Sequence, residues 1–202
     1  MRISAIQIAA GLSSRMKGPN KLLQDIGGRS LVEHGFSQLI TSDVGEVIVV
    51  TGRDAEQMEL SITKSRLPSP KFVFNPNFEM GMTTSIQTGL QAIEKADAVM
   101  ICLSDMPELT SQDYTDLIKE FKIQGSQDKI MVPYNGERRG NPVIFGASFF
   151  EQIKEHKEPN GCSSIVKANK DKLLLFETSS SHYFFDIDTP ETLKAYKARV
   201  KQ

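Results

Sequence analysis

The sequence predicts a single α/β domain spanning residues 1–202, in which helices flank one mixed, mostly parallel sheet. Short apolar runs rich in β-branched residues alternate with amphipathic stretches, which is the pattern of successive βαβ units. Residues 47–50 (VIVV) are apolar throughout, as in a parallel strand that helices cover on both faces. A chain of this length buries about 70% of its unfolded surface in one core, so no second domain is needed to explain it.

The elements follow from this alternation in chain order. Five apolar runs predict strands in the first two thirds of the chain, at residues 3–9, 47–51, 72–75, 98–103 and 130–132. Amphipathic stretches between the first four strands predict helices near residues 31–40, 55–64 and 84–94. Together they predict parallel strands joined by helical crossovers.

The last third of the chain is less regular. Thr110 and Asp113 form a variant capping box, which predicts a helix over residues 114–121. Pro190 fits the first turn of a C-terminal helix, where its missing N–H is not needed. Between these helices, short apolar runs predict further strands, some of them antiparallel, at residues 142–145, 173–176 and 183–185.

Composition limits the classes of function. The chain has 24 basic and 25 acidic side chains, and this balance argues against a nucleic-acid surface. No segment approaches the roughly 20 apolar residues of a membrane span, and the apolar N-terminal stretch is too short for a signal peptide. Cys102 and Cys162 have neither the number nor the spacing of a disulfide framework or a zinc site. We therefore expect a cytoplasmic protein without nucleic-acid or membrane partners.

Ligands of open α/β sheets bind beyond the carboxyl ends of the strands, near a switch in strand order. The segments that follow the predicted strands are therefore the candidate site segments. They are residues 10–21, 51–54, 75–84, 104–107, 133–142 and 186–190.

The first of these segments is predicted to bind a polyphosphate. Residues 9–23 (AAGLSSRMKGPNKLL) contain cations and no acid, but neither the dinucleotide fingerprint nor the P-loop pattern. Gly11 allows a ligand to approach the backbone, and Ser13 leaves amides accessible. Arg15 can bind phosphate with two hydrogen bonds, and Lys21 adds a point charge. A solvated surface loop without acids is the alternative that charge alone leaves open.

Carboxylates at two other strand ends suggest a magnesium site. Asp105, in LSDMPEL, follows an apolar strand, and Mg²⁺ bound to phosphates usually takes one or two protein carboxylates. Asp186 and Asp188, in FDIDTPETL, lie on one face if the preceding strand extends that far. The alternatives are a turn at Asp105 and a helix N-cap at Asp188.

Two further loops suit substrate recognition. Residues 75–85 (NPNFEMGMTTS) end in a glycine and hydroxyls at a predicted helix start, where free amides favour a polar group. Residues 136–145 (GERRGNPVIF) place two arginines beside a glycine and an asparagine. Loops rich in Asn, Gly and Pro are also common as simple turns.

Taken in order, AAGLSSRM with Lys21, NPNFEMGMTTSI, LSDMP, RRGNPVIF and DIDTPETL resemble the molybdenum cofactor cytidylyltransferases of the MobA-like nucleotidyltransferase superfamily. The resemblance runs over nearly the whole chain. It implies a Rossmann-like nucleotidyltransferase fold and Mg²⁺-dependent transfer of CMP from CTP to molybdopterin-bound molybdenum. The products are the cytosine dinucleotide and pyrophosphate. A molybdenum hydroxylase that receives the finished cofactor is an implied partner.

The resemblance also implies roles for individual residues. Arg15, Lys21 and Asp105 are the implied catalytic residues, and Asp105 with Asp188 or Asp186 is the implied metal site. The implied substrate-binding residues are Ala10, Gly11 and Ser13 near the phosphates, Asn75, Gly81 and Ser85 near the base and ribose, and Arg139, Gly140 and Asn141 near the pterin.

The chain departs from the family pattern at two places, and two other functions stay open. The loop MKGPN is one residue longer than the common form, and residues 159–165 (PNGCSSI) lack the acid and the arginine often found there. One alternative is a nucleotidyltransferase acting on a different phosphorylated acceptor, such as a sugar or alcohol phosphate. The other is a non-catalytic carrier of the cofactor. Because a phosphomonoester is already ionised near neutral pH, no general base is required of the histidines.

Overall fold

The computed structural model describes residues 1–13, 16 and 18–200. The strands are β1 (Ile3–Ala9), β2 (Glu46–Thr51), β3 (Lys71–Phe74), β4 (Ala98–Leu103), β5 (Ile130–Tyr134), β6 (Val143–Gly146) and β7 (Leu173–Glu177). The helices are α1 (Leu31–Ile40), α2 (Ala55–Thr63), α3 (Met82–Gln91), α4 (Ser111–Gln124), α5 (Phe150–Glu155), α6 (Ser163–Ala168) and α7 (Pro190–Val200).

The strands form one mixed sheet of seven strands in the order β3-β2-β1-β4-β6-β5-β7. β1 lies parallel to both β2 and β4, while β6 runs antiparallel to β4 and β5. The predicted fold class is confirmed, as is an antiparallel strand in the later region. The chain moves outward from β1 to β3 and then returns to β4 on the other side of β1. The switch in strand order therefore lies between β1 and β4.

Apolar side chains fill a layer on each face of the sheet. Along β1, Ala5 and Ala9 face one layer, and Ile6 and Ile8 face the other, because successive strand residues point to opposite faces. The first layer packs against α1, α2, α4 and α7, and the second against α3, α5 and α6. This double cover explains why β1, β2 and β4 are apolar almost throughout. The helices cover the two faces of the sheet but leave the carboxyl ends of these strands accessible.

Both predicted helix starts are confirmed. At α4, Thr110 and Asp113 make the predicted reciprocal capping box. Helix α7 begins at Pro190, and the hydroxyl of Thr189 accepts from the backbone N–H of Thr192 in its first turn. An N-cap at Asp188 is therefore not needed to explain how this helix begins.

The strand predicted at residues 183–185 is wrong. Residues Ser181–Phe184 form a 3₁₀ turn, which begins where the hydroxyl of Ser180 accepts from the N–H of His182. Tyr183 is buried, donates its hydroxyl hydrogen to the carbonyl of Asp113, and packs its ring edge-on against Phe176. The aromatic run therefore packs against neighbouring elements rather than joining the sheet.

Within the described residues, no helix combines the length and apolar content that crossing a bilayer requires.

Candidate active site

The site lies at the carboxyl ends of the two central strands. Ile8 of β1 pairs with Leu103 of β4, so the loops that follow these strands start side by side. We call residues 10–21 the β1 loop. Asp105 follows β4 directly, and the segment before α7 reaches the same place because the N–H of Ile187 donates to the carbonyl of Asp105 at 2.9 Å. Three segments that are distant in the sequence thus meet at the switch point.

Lys21 is bound among carboxylates at this meeting point. Its ammonium group donates to Asp105 Oδ2 at 2.7 Å, to Asp188 Oδ1 at 3.0 Å and to the carbonyl of Ile187 at 2.7 Å. The side chains of Lys21 and Asp105 are only 12% and 19% exposed. Burial lowers the pKa of Lys21, but the two carboxylates outweigh it and raise the pKa above its ordinary value. Lys21 is therefore fully charged at neutral pH.

The carboxyl groups of Asp105, Asp186 and Asp188 form a compact cluster. One oxygen from each lies within 4.8 Å of the others. Ile187, between two of them, is fully buried, and this alternation turns both flanking carboxyl groups toward Asp105. Burial, followed by the charges of Asp188 and Asp105, raises the pKa of Asp186 above its ordinary value. Lys21 therefore neutralises the negative charge of the carboxyl cluster only in part.

A cleft of about 240 Å³ lies beside Lys21 and the carboxyl cluster. Gly11 and Ser13 line this cleft together with Lys21, Asp105 and Asp188. A Cβ added at Gly11 would meet no atom of the described residues within 4 Å, so the backbone is accessible from that side. Among the described residues, the N–H groups of residues 11–13 have no hydrogen-bond acceptor. Successive free amides of this kind bind anions well.

One predicted member of the site does not line this cleft, and another cannot be compared with it. Ala10 is buried in the core behind the loop, where it packs with Ile8 and Val50. Arg15, the predicted partner of Lys21 in phosphate binding, lies outside the described residues, as do Ser14 and Lys17.

A second, mostly apolar pocket of about 350 Å³ adjoins the cleft. Leu103 and Met82 line both spaces, so the pocket and the cleft share part of their walls. Arg139, Gly140 and Asn141, which the resemblance assigns to the pterin side, line the second pocket. A smaller space of about 150 Å³ brings the same three residues beside Asp186. The predicted acceptor loop and the carboxyl cluster are therefore neighbours.

Asn75, Gly81 and Ser85 are placed behind the pocket wall. The Asn75 amide donates to the hydroxyls of Thr84 and Ser85 at 2.9 and 3.0 Å, and both Asn75 and Ser85 are buried. Gly81 has a φ of 113° and lies so close to Pro159 that an added Cβ would overlap it. These residues hold the turn before α3, and none of them is among the residues that line the cleft or the second pocket.

Sequence reasoning missed Asn20, Asp54 and Lys167. Asn20 is 2% exposed and organises the β1 loop, although its position in KGPN suggests only a turn. Lys167 of α6 lines the second pocket with Arg139 and supplies a cation where residues 159–165 have none. No motif lies next to Lys167 in the sequence, so nothing there indicated that this lysine belongs to the site. Cys162 lines the same pocket, and burial raises the pKa of its thiol to about 12, so the thiol is unreactive.

Comparison with known proteins places the chain among nucleotidyltransferases. A family model described as the MobA-like NTP transferase domain matches residues 5–173. The bifunctional protein GlmU of Shouchella clausii is 26% identical over 187 residues, which is 90% of this chain but 38% of that protein. The chain thus spans well under half the length of this relative.

Solved structures share the fold. A nucleotidyl transferase from Methanothermobacter thermautotroptrophicus superposes with a TM-score of 0.84 at 19% identity, covering 99% of this chain and 98% of that one. Molybdopterin-guanine dinucleotide biosynthesis protein A from Archaeoglobus fulgidus superposes with a TM-score of 0.72 at 16% identity, covering 98% of each chain. At such identities the likeness shows a common fold.

Proposed function

The chain belongs to the MobA-like NTP transferase family, and from this premise we propose that it transfers CMP from CTP to a molybdopterin-bound molybdenum cofactor. The products are the cytosine dinucleotide form of the cofactor and pyrophosphate. The family supports nucleotidyl transfer as the class of reaction. The nucleotide, the acceptor and the metal are the parts that we propose.

One observation carries the proposal. Lys21, Asp105 and Asp188 meet in a single cleft that is also lined by Gly11 and Ser13, whose N–H groups have no acceptor among the described residues. A triphosphate needs cations and N–H donors, and a divalent ion needs oxygen ligands, so both requirements are met within about 240 Å³. A surface loop that merely lacks acids would not lie against a carboxyl cluster.

The carboxyl cluster fits a divalent cation. Asp105 Oδ1 is buried and has no hydrogen-bond partner among the described residues, which leaves a buried acceptor in need of a positive charge. Asp186 and Asp188 supply further oxygens at compatible distances. Oxygen donors of this kind suit Mg²⁺. When bound, Mg²⁺ would neutralise phosphate charge and help to align the triphosphate.

The chain's own residues account for the remaining requirements of the reaction. The acceptor phosphate oxygen attacks the α-phosphorus of CTP, and the bond from that phosphorus to the pyrophosphate oxygen breaks. The amides of residues 11–13 bind the phosphates, and Arg15 and Lys21 stabilise the charge that grows on the leaving pyrophosphate. No side chain needs to remove a proton, because the attacking phosphomonoester is already ionised.

The second pocket supports an anionic acceptor with a largely apolar body. Its floor is formed by Ile101, Val132 and Phe145, while Arg139 and Lys167 provide positive charge. Arg139 and Lys167 form no ion pair with another described residue, so both are available to a phosphate or a carboxylate. Transfer of the product to a molybdenum hydroxylase in the cytoplasm completes the proposal.

Incubation of the purified protein with each NTP, Mg²⁺ and molybdenum-loaded pterin tests it, with the product identified by mass. We expect a cytosine dinucleotide and an equal amount of pyrophosphate from CTP alone. Asp105→Asn removes one metal ligand, and Asp128→Asn, on an exposed turn outside the site, is the matched control. Turnover only with a sugar or alcohol phosphate would reassign the acceptor. Tight pterin binding without pyrophosphate release would favour a carrier.

A further inference from the structure

Two residues of the site region have an unusual backbone conformation. Among the described residues other than glycine, only Ser13 and Asp54 have a positive φ, at 50° and 59°. Left-handed backbone is unfavourable for side chains with a Cβ, and it persists where surrounding contacts hold it. Ser13 lies on the β1 loop, while Asp54 lies on the turn between β2 and α2. Hydrogen bonds through a third residue connect the two side chains.

Asn20 is the link. Its side-chain carbonyl accepts from the hydroxyl of Ser13 at 3.0 Å, and its amide donates to Asp54 Oδ2 at 3.1 Å. The same carbonyl accepts from the N–H of Leu22, and Asn20 is 2% exposed. The N–H of Lys21 donates to the Ser13 hydroxyl at 3.3 Å. We call Ser13, Asn20 and Asp54 the bridge, since they join both halves of the β1 loop to the β2–α2 turn.

A second tie runs beside the bridge. Arg53 donates from Nη1 to the carbonyl of Leu12 at 2.8 Å, and its Nε lies 3.3 Å from Asp54 Oδ2. The β2–α2 turn therefore contacts the β1 loop at Leu12, next to Ser13, as well as at Asn20.

The side chain of Asp54 makes different contacts from those of a usual N-cap aspartate. It immediately precedes α2, where an aspartate normally accepts hydrogen bonds from the first helical amides, yet it makes no such capping bond. Its carboxylate is directed instead to Asn20 and Arg53. Helix stability alone therefore does not account for an aspartate here.

We infer that Asp54, acting through Asn20, is a positioning residue that sets the β1 loop for nucleotide binding, an inference that rests on the proposed function. The bridge fixes Ser13, which lines the cleft, and Asn20, the neighbour of Lys21. Lys21 then reaches Asp105 at 2.7 Å. Asp54 itself is not among the residues that line the cleft, so it acts on the ligand only through the loop.

The test measures the affinity for CTP with Mg²⁺ by calorimetry, together with the steady-state constants for CTP and for the acceptor. Asp54→Ala removes the acceptor of the Asn20 amide, whereas Asp54→Asn retains a carbonyl oxygen and tolerates the left-handed backbone. Arg53→Met removes the second tie from a side chain that is 40% exposed, so its folding is not at risk. Asp43→Ala, an exposed aspartate before the other end of β2, is the matched control.

We expect Asp54→Ala to weaken CTP binding about tenfold, with a matching rise in KM for CTP and an unchanged KM for the acceptor. Asp54→Asn should restore most of the affinity, Arg53→Met should lose part of it, and Asp43→Ala should match the unaltered chain. The inference would be overturned if Asp54→Ala and Arg53→Met both bound CTP as tightly as the unaltered chain does. Equal losses of CTP affinity in Asp54→Asn and Asp54→Ala would also overturn it. If Asp54→Ala does not fold, Asp54→Asn and Arg53→Met decide alone. If the unaltered chain binds no CTP, the proposed function itself fails, and the positioning role with it.

Discussion

Replacing Lys21 by methionine tests whether this lysine neutralises the carboxyl cluster when no ligand is bound. Methionine keeps the length and apolar stem of lysine but removes the charge. Asp105 then loses a partner at 2.7 Å and Asp188 loses one at 3.0 Å. Asp186 is close by and adds to the repulsion. We therefore expect the folded state of Lys21→Met to be destabilised.

The expected size follows from burial. Removing one partner of a fully buried ion pair costs about 3–5 kcal/mol, whereas an exposed pair contributes about 0–1 kcal/mol. The Lys21–Asp105 pair is nearly buried, but the Asp188 side chain is 36% exposed and can be solvated. We expect a loss of about 2 kcal/mol in the free energy of unfolding. For a chain of this size, this corresponds to a fall of about 6 °C in Tm.

Magnesium ions provide the second half of the test. In the unaltered chain, Mg²⁺ would compete with the Lys21 ammonium group for Asp105 Oδ2 and Asp188 Oδ1, but in Lys21→Met these two oxygens are accessible. Millimolar Mg²⁺ without nucleotide should therefore raise the Tm of Lys21→Met more than that of the unaltered chain. Calorimetric melting with and without Mg²⁺ measures both effects, and Lys194→Met, an exposed lysine on α7, is the control. An unchanged Tm, or an equal response to Mg²⁺, would refute the reasoning.

Three further predictions concern the site and the scaffold. Asp105→Asn should lower the rate of CMP transfer at least about a hundredfold while circular dichroism stays unchanged; near-normal pyrophosphate release would contradict the metal role. Gly89→Ala places a Cβ 2.5 Å from Ile6 Cγ2, so overpacking should cost about 1–2 kcal/mol in urea unfolding after the gain in helix propensity; a higher urea midpoint would contradict the packing argument. Burial lowers the pKa of His34, whose ring hydrogen-bonds the carbonyl of Pro107, so the unfolded chain binds a proton more readily than the folded chain. The stability from neutral His34 is therefore complete above pH about 6.5 and falls as the pH drops below it; His34→Gln should flatten this profile in urea titrations, and an equal slope would exclude His34 as its cause.

The central strands could be predicted well because one physical cause dominates there. Residues 3–9 and 98–103 were predicted at their observed bounds, since a strand covered on both faces must be apolar throughout. Residues 183–185 have a similar apolar pattern, but Tyr183 packs against α4 and β7 and Phe185 stacks on Tyr196 of α7, without strand pairing. A short apolar run indicates that its side chains are buried. It does not indicate which element buries them.

Some of the residues that line the cleft could be named from the sequence, but their contacts with one another could not. The rule for open α/β sheets brings Lys21 near Asp105, although 84 residues separate them. A direct ion pair could not be expected from the sequence, because a lysine in a cationic loop suggests a phosphate partner. Asn20 was missed for a related reason: its burial depends on Asp54, which belongs to another loop. Contacts between loops are set by the geometry of the sheet that carries them.

The charges of the cluster suggest why a lysine bound to carboxylates is compatible with phosphate chemistry. Three carboxyl groups and one ammonium group, when all are ionised, give a charge of −3 + 1 = −2 among these described side chains. A divalent cation balances this charge only if Lys21 stays, but it also competes with Lys21 for the same oxygens. A triphosphate resolves the conflict, since its negative charge offers Lys21 a new partner at the moment that the metal takes the old one. Metal and nucleotide should accordingly bind more tightly together than separately. Equal Mg²⁺ affinities with and without CTP would show that Lys21 does not change partners.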